Sequence, residues 1–315
     1  MAENHVLTAP GLSPLYMTAL REHCVVHERL HETDPSALAK AAPAIRAFAG
    51  GGESKIGADL IARLPALEII SVMGVGYDGV DIAAAKARGI VVTHTPDVLN
   101  DDVADLAIGL MLCAARQLPA ADRFVRGGEW SKGAMPLQRK MSGARLGIIG
   151  MGRIGQTIAR RAAAFDMPIA YTARSRKDDL PYAFHPDAVE LAAHSDFLVV
   201  ITPGGAGTRK LVDRAVLQAL GPKGVLVNVA RGSVVDEAAL IEALEQGVVG
   251  GAALDVFESE PNVPQRLKDL PQVVLTPHVG SATRQTRQAM ADLAMRNLLA
   301  HFKGEPLPTP VPECR

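Results

Sequence analysis

The sequence predicts an α/β protein of two domains, one of them a doubly wound parallel sheet. Three observations carry this prediction. Short apolar runs alternate with helix-periodic stretches along most of the chain. A glycine triplet of phosphate-binding type lies between one such run and the helical pattern after it. The length, 315 residues, exceeds what a single core usually serves.

Taken in order, the first third has apolar runs at 24–27, 45–49, 67–73 and 90–93, with helical patterns such as 13–23 and 80–88 between them. Asn100, Asp101 and Asp102 then lead into an apolar stretch over 103–115. Asn100 suits a helix N-cap, and two aspartates suit the positive end of the helix dipole. The helix is apolar nearly all round, so it is expected to lie between domains or subunits. A second series of strands is expected at 145–149, 168–172, 197–202, 225–229, 250–254 and 273–276. Helices separate most of them, and 236–246 has an acidic start with Gly247 as a left-handed stop. A last amphipathic helix covers 283–302 with Gly304 just beyond, and the prolines of 306–312 read as an extended tail.

Composition excludes several classes. Hydrophobic residues make up 48%, enough to bury sizeable cores rather than leave the chain disordered. A net charge of −1 provides no field for nucleic acid or an anionic membrane. Cys24, Cys113 and Cys314 are widely spaced and form no Cys/His cluster, which fits a reducing cytoplasm and no bound metal. The first nine residues lack the basic start and apolar run of a signal peptide. Apolar segments break off before the ~18 residues a membrane span requires.

The glycine triplet is Gly150-Met151-Gly152-Arg153-Ile154-Gly155. In such a loop the first glycine makes the tight turn and the second admits a pyrophosphate to the backbone. The third lets helix and strand pack closely. The helix start supplies open N–H groups and the positive end of the dipole. Three further segments end expected strands, where open α/β sheets bind ligands. Arg231 closes the first and can take a carboxylate in a two-pronged grip; pairing with a surface acid is the equal alternative. Asp255, Glu258 and Glu260 follow the second, and His278 follows the third. A histidine is the natural proton donor near neutral pH, and a carboxylate partner would hold it and favour its charged form.

Together these residues resemble the D-isomer-specific 2-hydroxyacid dehydrogenase family. The likeness runs through Val72–Asp78, His94–Asp97, Asp101–Ala107, the glycine loop, Val229–Asp236, Leu254–Pro261 and Thr276–Thr283, with Arg231, Glu260 and His278 separated by 29 and 18 residues. It implies that Arg231 grips the carboxylate and carbonyl of a 2-oxo acid. It implies also that His278 donates the proton and Glu260 keeps that histidine protonated. Backbone N–H groups of Val75 and Gly76 would meet the carboxylate, although a plain glycine turn explains the pair equally well. The cofactor would contact Gly150, Gly152, Arg153, Ile154 and Gly155 at its pyrophosphate. Pro203, Thr208, Val229, Ala230, Asp255, His278 and Gly280 would lie along the rest of it, the nicotinamide included.

The layout implied is a Rossmann cofactor domain, 100–283, inserted into a flavodoxin-like substrate domain of 1–99 plus 284–315. Closure between the domains would exclude water from the hydride step. A homodimer through the cofactor domains is implied as well. The stretches 202–208 and 97–103 look most like the glyoxylate, hydroxypyruvate and hydroxyphenylpyruvate reductases. Residues around 50–55 and 74–76 would line the pocket, with 135–137 from a neighbouring subunit. A dinucleotide-sensing regulatory protein and a phosphite dehydrogenase share the scaffold. Intact Arg231, Glu260 and His278 disfavour the former, and a phosphite assay would test the latter.

The cofactor reading departs from the NAD-type pattern. An NAD-specific fold places an acid about 20 residues beyond the glycine loop, for the ribose hydroxyls. Here Ala173 stands 18 residues after Gly155, followed by Arg174, Ser175 and Arg176. Two arginines and a serine suit a 2′-phosphate, so NADP(H) is expected to be preferred and NAD(H) accepted. The alternative is a solvated basic turn.

Overall fold

The computed structural model describes residues 3–314; Met1, Ala2 and Arg315, which the expected substrate domain includes, lie outside the described residues. The chain divides into two compact units, Met1–Leu99 with Thr283–Arg315, and Asn100–Ala282. The second division falls one residue before the expected point. Thr283 goes with the first unit because it caps the helix Arg284–Lys303, its hydroxyl accepting the Thr286 N–H at 3.2 Å.

The first unit holds five strands, β1 (His5–Thr8), β2 (Val25–Glu28), β3 (Ile45–Gly51), β4 (Ile69–Met73) and β5 (Val91–Thr93). They are all parallel and run in the order β2-β1-β3-β4-β5, the flavodoxin-like order. β4 is buried along its whole length, which is why it reads as a continuous apolar run. The pattern missed β1, four residues long, although Val6 and Leu7 are fully buried. Periodicity carries no signal over so short a stretch. The helix Arg284–Lys303 packs on β4 and on the helix Pro14–His23, and stops at Gly304 with φ 70°. The proline-rich tail is extended as expected, but it is also packed. Pro310 bridges Thr93, Val311 is buried with its N–H on the Val92 carbonyl at 2.9 Å, and a 3-10 turn, Pro312–Cys314, follows.

The second unit holds seven strands: β6 (Leu146–Ile149), β7 (Ile169–Thr172), β8 (Ala183–Phe184), β9 (Phe197–Val200), β10 (Val225–Asn228), β11 (Gly251–Leu254) and β12 (Val273–Leu275). The order is β12-β11-β10-β9-β6-β7-β8, all parallel. The sheet winds one way from β6 through β8 and the other way from β9 to β12. This is the doubly wound Rossmann arrangement. β6, β9, β10 and β11 are buried throughout. β8 was not expected; its two residues pair only with β7 and are too few for any pattern.

The helix Asn100–Arg116 corrects one expectation. Asn100 is its first helical residue rather than its cap. Much of its apolar circumference is used inside its own unit. It packs on the helix Arg153–Ala163 and on β10, β11 and β12, burying Val103, Ala104, Ala107, Leu110 and Met111. A helix wedged between a sheet and a second helix needs apolar residues on most of its surface. Among the described residues no single helix is long and apolar enough to cross a membrane.

Candidate active site

The order reverses between β6 and β9, and a doubly wound sheet binds its ligand outside the carboxyl ends at that point. The glycine loop leaves β6 there. Gly150 has φ 105°, and its N–H reaches the Thr172 carbonyl at 2.9 Å. A Cβ on Gly155 would lie 2.2 Å from the Gly150 carbonyl oxygen, so helix and loop close up only with glycine. The space where a Cβ on Gly152 would stand is empty for 4 Å, and no side chain caps the helix Arg153–Ala163 there. Arg153 is exposed and Ile154 half-buried at that helix start. The loop therefore fits a dinucleotide pyrophosphate, offering backbone approach and open helix-start N–H groups.

No acid stands at the end of β7. Thr172 is followed by Ala173, then by exposed Arg174, Ser175 and Arg176. The buried Tyr171 hydroxyl accepts the Lys177 N–H at 2.6 Å and so pins the far end of this turn. Arg176 is engaged by Asp178 at 3.3 Å, the acid that lies just past the strand. Arg174 has no ion pair or hydrogen bond among the described residues. Beyond β9, the Thr208 hydroxyl donates to the Pro203 carbonyl at 2.6 Å and closes the loop that carries both.

Three neighbouring strands, β10, β11 and β12, deliver Arg231, Glu260 and His278 to one edge of the sheet. After β10, Val229 and Ala230 are buried and the Arg231 Nη1 donates to the Ala230 carbonyl at 2.8 Å. The buried Asn228 side chain braces this turn. Its amide donates to the Arg231 carbonyl and its oxygen accepts the Ala230 N–H, each at 3.0 Å. A Cβ on Gly232 would sit 1.9 Å from the Phe257 carbonyl carbon, so the turn after β10 lies directly on the segment after β11.

On that segment Glu260 accepts the Phe257 N–H at 2.9 Å through Oε1 and meets His278 Nδ1 at 2.8 Å through Oε2. Burial acts to raise the Glu260 pKa, but the bonds from His278 and Phe257 and the charges of His278 and Arg231 prevail and hold it below the ordinary value. The carboxylate is thus ionised at neutral pH.

His278 itself stands in the left-handed region, φ 53°. The buried Asp255 carboxylate organises its turn. Oδ1 accepts the Thr276 hydroxyl at 2.6 Å and the Val279 N–H at 2.8 Å, and Oδ2 accepts the Gly280 N–H at 2.8 Å. Asn228 and Thr276 escaped the sequence reading. Each is a polar residue at the end of an apolar strand, which is the signal that could have found them.

In the first unit, Val75 and Gly76 follow β4 in a turn whose two N–H groups have no acceptor among the described residues. At the end of the neighbouring strand β3, where Gly51 pairs with Met73, the Gly51 N–H is taken by Ser54 Oγ at 2.8 Å. Among the described residues no group of three or more His, Cys, Asp or Glu could hold a metal ion.

Known proteins resemble the chain over nearly its whole length. Residues 108–280 match the family model described as D-isomer specific 2-hydroxyacid dehydrogenase, NAD binding domain. A glyoxylate/hydroxypyruvate reductase A of Arabidopsis thaliana is 55% identical over 85% of this chain and 85% of its own. A hydroxyphenylpyruvate reductase of Plectranthus scutellarioides is 53% identical over 87% and 88%. Among solved structures, an NADPH-dependent glyoxylate/hydroxypyruvate reductase of Sinorhizobium meliloti, in complex with NADP and malonate, has a TM-score of 0.93. It is 45% identical and covers 99% of this chain and 98% of that one. A nicotinamide dinucleotide site and the pairing of a histidine with an ionised carboxylate are what an oxidoreductase acting on 2-oxo acids requires, and the chain belongs to the D-isomer-specific 2-hydroxyacid dehydrogenase family.

Proposed function

We propose that the protein reduces a small 2-oxo acid, namely glyoxylate, hydroxypyruvate or an aryl pyruvate, to the D-2-hydroxy acid, preferring NADPH and accepting NADH. The observation that carries this reading is the His278–Glu260 pair, 2.8 Å apart, on strand ends beside that of Arg231. The nicotinamide supplies the hydride. Gly150, Gly152, Arg153, Ile154 and Gly155 hold the pyrophosphate, and Arg174, Ser175 and Arg176 take the 2′-phosphate. Pro203, Thr208, Val229, Ala230, Asp255 and Gly280 line the remainder. Arg231 binds the substrate carboxylate and polarises the ketone, and the Val75 and Gly76 N–H groups take the carboxylate. His278 gives its Nε2 proton to the carbonyl oxygen as the carbon is reduced, and Glu260 stabilises the imidazolium beforehand. The names of the relatives support the substrate class, and that of the Sinorhizobium structure supports NADPH.

We also infer a cytoplasmic homodimer through the cofactor units. Exposed Leu118, Val125, Trp130 and Leu137 lie in one stretch of the second unit, an apolar surface that a partner copy would cover. Initial rates with glyoxylate, hydroxypyruvate, phenylpyruvate, hydroxyphenylpyruvate and 2-ketogluconate, each with NADPH and NADH, test the substrate and cofactor reading. His278→Ala should lower kcat by ~10²–10⁴ and leave cofactor binding nearly intact. Near-normal turnover in that variant would overturn the assignment, and light scattering reads the dimer.

A further inference from the structure

We propose that His94 is a positioning residue for substrate binding, fixing the Val75-Gly76 turn from behind with the C-terminal tail as its anchor. The inference rests on the reading above that this turn takes the carboxylate. In a trans peptide the carbonyl and the N–H point to opposite edges of one plane. Fixing the Gly74 and Val75 carbonyls therefore fixes where the Val75 and Gly76 N–H groups point.

Both carbonyls are held. The Thr95 N–H donates to the Gly74 oxygen at 2.8 Å, and His94 Nδ1 lies 3.0 Å from the Val75 oxygen. A carbonyl can only accept, so Nδ1 carries the proton in this bond. A carbonyl that accepts also makes the N–H of its own peptide a better donor. The two N–H groups on the far edges have no acceptor among the described residues. The chain thus presents two aimed, polarised donors, which is what a carboxylate needs.

The anchor is the tail. His94 is buried, with its ring edge-on to Tyr77 at 5.3 Å between centroids. Thr309 grips its backbone from both sides, accepting the His94 N–H at 3.2 Å and donating its hydroxyl to the His94 carbonyl at 2.6 Å. Asn297, fully buried on the helix Arg284–Lys303, in turn holds Thr309. It accepts the Thr309 N–H at 3.0 Å and donates to its hydroxyl at 2.8 Å. The Tyr77 hydroxyl donates to Glu313 at 3.0 Å, so the tail also touches the other end of the turn. An unbroken line of hydrogen bonds runs from Asn297 through Thr309 and His94 to the Val75 peptide.

The test uses the full protein with NADP⁺ and oxalate as the carboxylate probe, read at the Val75 and Gly76 amide resonances. In the unmodified protein both should shift on titration. His94→Leu removes the donor and should weaken oxalate binding, and raise KM for glyoxylate, by about tenfold, with KM for NADPH unchanged. His94→Asn should restore both, because its Nδ2 stands as many bonds from Cβ as the Nδ1 it replaces. Thr309→Val leaves His94 in place but loosens the anchor, and should cost about threefold. Should His94→Leu prove unstable, this second variant decides. Amides that shift normally, with oxalate affinity and glyoxylate KM unchanged in His94→Leu or in Thr309→Val, overturn the inference alone. If oxalate binds the unmodified protein without moving either amide, the reading of the turn falls, and this inference with it.

Discussion

Asp255 holds the backbone of Gly280 at 2.8 Å across the base of the turn that carries His278. The other carboxylate oxygen is held by Thr276 and Val279, so His278 keeps a left-handed backbone because the residues on either side of it are tied to one buried anion. The Thr276 hydroxyl is the one side-chain donor in this cluster. Thr276→Val should lower kcat about fivefold or more and cost about 1–3 kcal/mol of stability, since it leaves the buried carboxylate short of a donor. Thr276→Ser should recover most of both. An unchanged kcat in the valine variant would show that the turn holds its shape without the hydroxyl.

The pH dependence of reduction should follow the Glu260–His278 pair. Reduction consumes the imidazolium proton, so the rate falls as pH rises through the His278 pKa. Glu260 is half-buried, which acts to raise its pKa, yet its bonds to His278 and Phe257 hold it below the ordinary carboxylate value. It is therefore charged at neutral pH, and its charge favours the protonated ring. Glu260→Gln removes that charge. The alkaline limb of kcat/KM for reduction should move to lower pH by about one unit or more. The reverse reaction needs the neutral ring and should lose far less at neutral pH. A limb that stays in place would mean that Glu260 orients the ring without tuning it.

Much of this site was legible because its chemistry restricts residue types. The glycine loop needs glycines at fixed spacing, and Arg231, Glu260 and His278 each follow an apolar strand at the ligand edge of the sheet. The supporting residues left only a fainter trace, a polar residue closing an apolar strand. Asn228 and Thr276 act through the turn geometry of their own segments, and nothing in their spacing says what they will face. The helix after Asn100 was legible as buried, but its packing on the sheet and on the helix Arg153–Ala163 of its own unit was not. An apolar circumference reports burial and not what does the burying. β1 and β8 exist because neighbouring strands offer them a pairing edge, a tertiary cause that four or two residues cannot display. The tail was legible as extended, but its docking through Thr309 and Val311 depends on partners some 200 residues away.

Arg231→Lys tests the anchoring of the substrate. The guanidinium already has Nη1 on the Ala230 carbonyl at 2.8 Å, which fixes the plane that would face the acid. A lysine ammonium is a point charge without that fork and cannot keep the plane while meeting both carboxylate and ketone. KM for the 2-oxo acid should rise and kcat should fall together, each about tenfold or more. Uncharged ketones should be poor substrates of the unmodified protein for the same reason. An ester of the 2-oxo acid reduced as well as the free acid would remove Arg231 from the carboxylate.

Cofactor preference should rest mainly on Arg174. The end of β7 carries no acid that would accept from ribose hydroxyls or repel a 2′-phosphate. Of the two arginines in the following turn, Arg176 is paired with Asp178 at 3.3 Å, which offsets part of its charge. Arg174 has no protein partner among the described residues. Its planar fork suits a phosphate, and the Tyr171 hydroxyl on the Lys177 N–H keeps the turn from spreading. Arg174→Ala should therefore raise KM for NADPH about tenfold and leave NADH kinetics little changed. Arg176→Ala should cost less, because Asp178 beside it already offsets part of the charge that a phosphate would meet. Asp178→Asn should act in the opposite direction, releasing Arg176 and lowering KM for NADPH modestly. Steady-state rates of the three variants with both cofactors check the ordering. Equal catalytic efficiency with NADPH and NADH in the unmodified protein would show that the turn is merely a solvated basic segment.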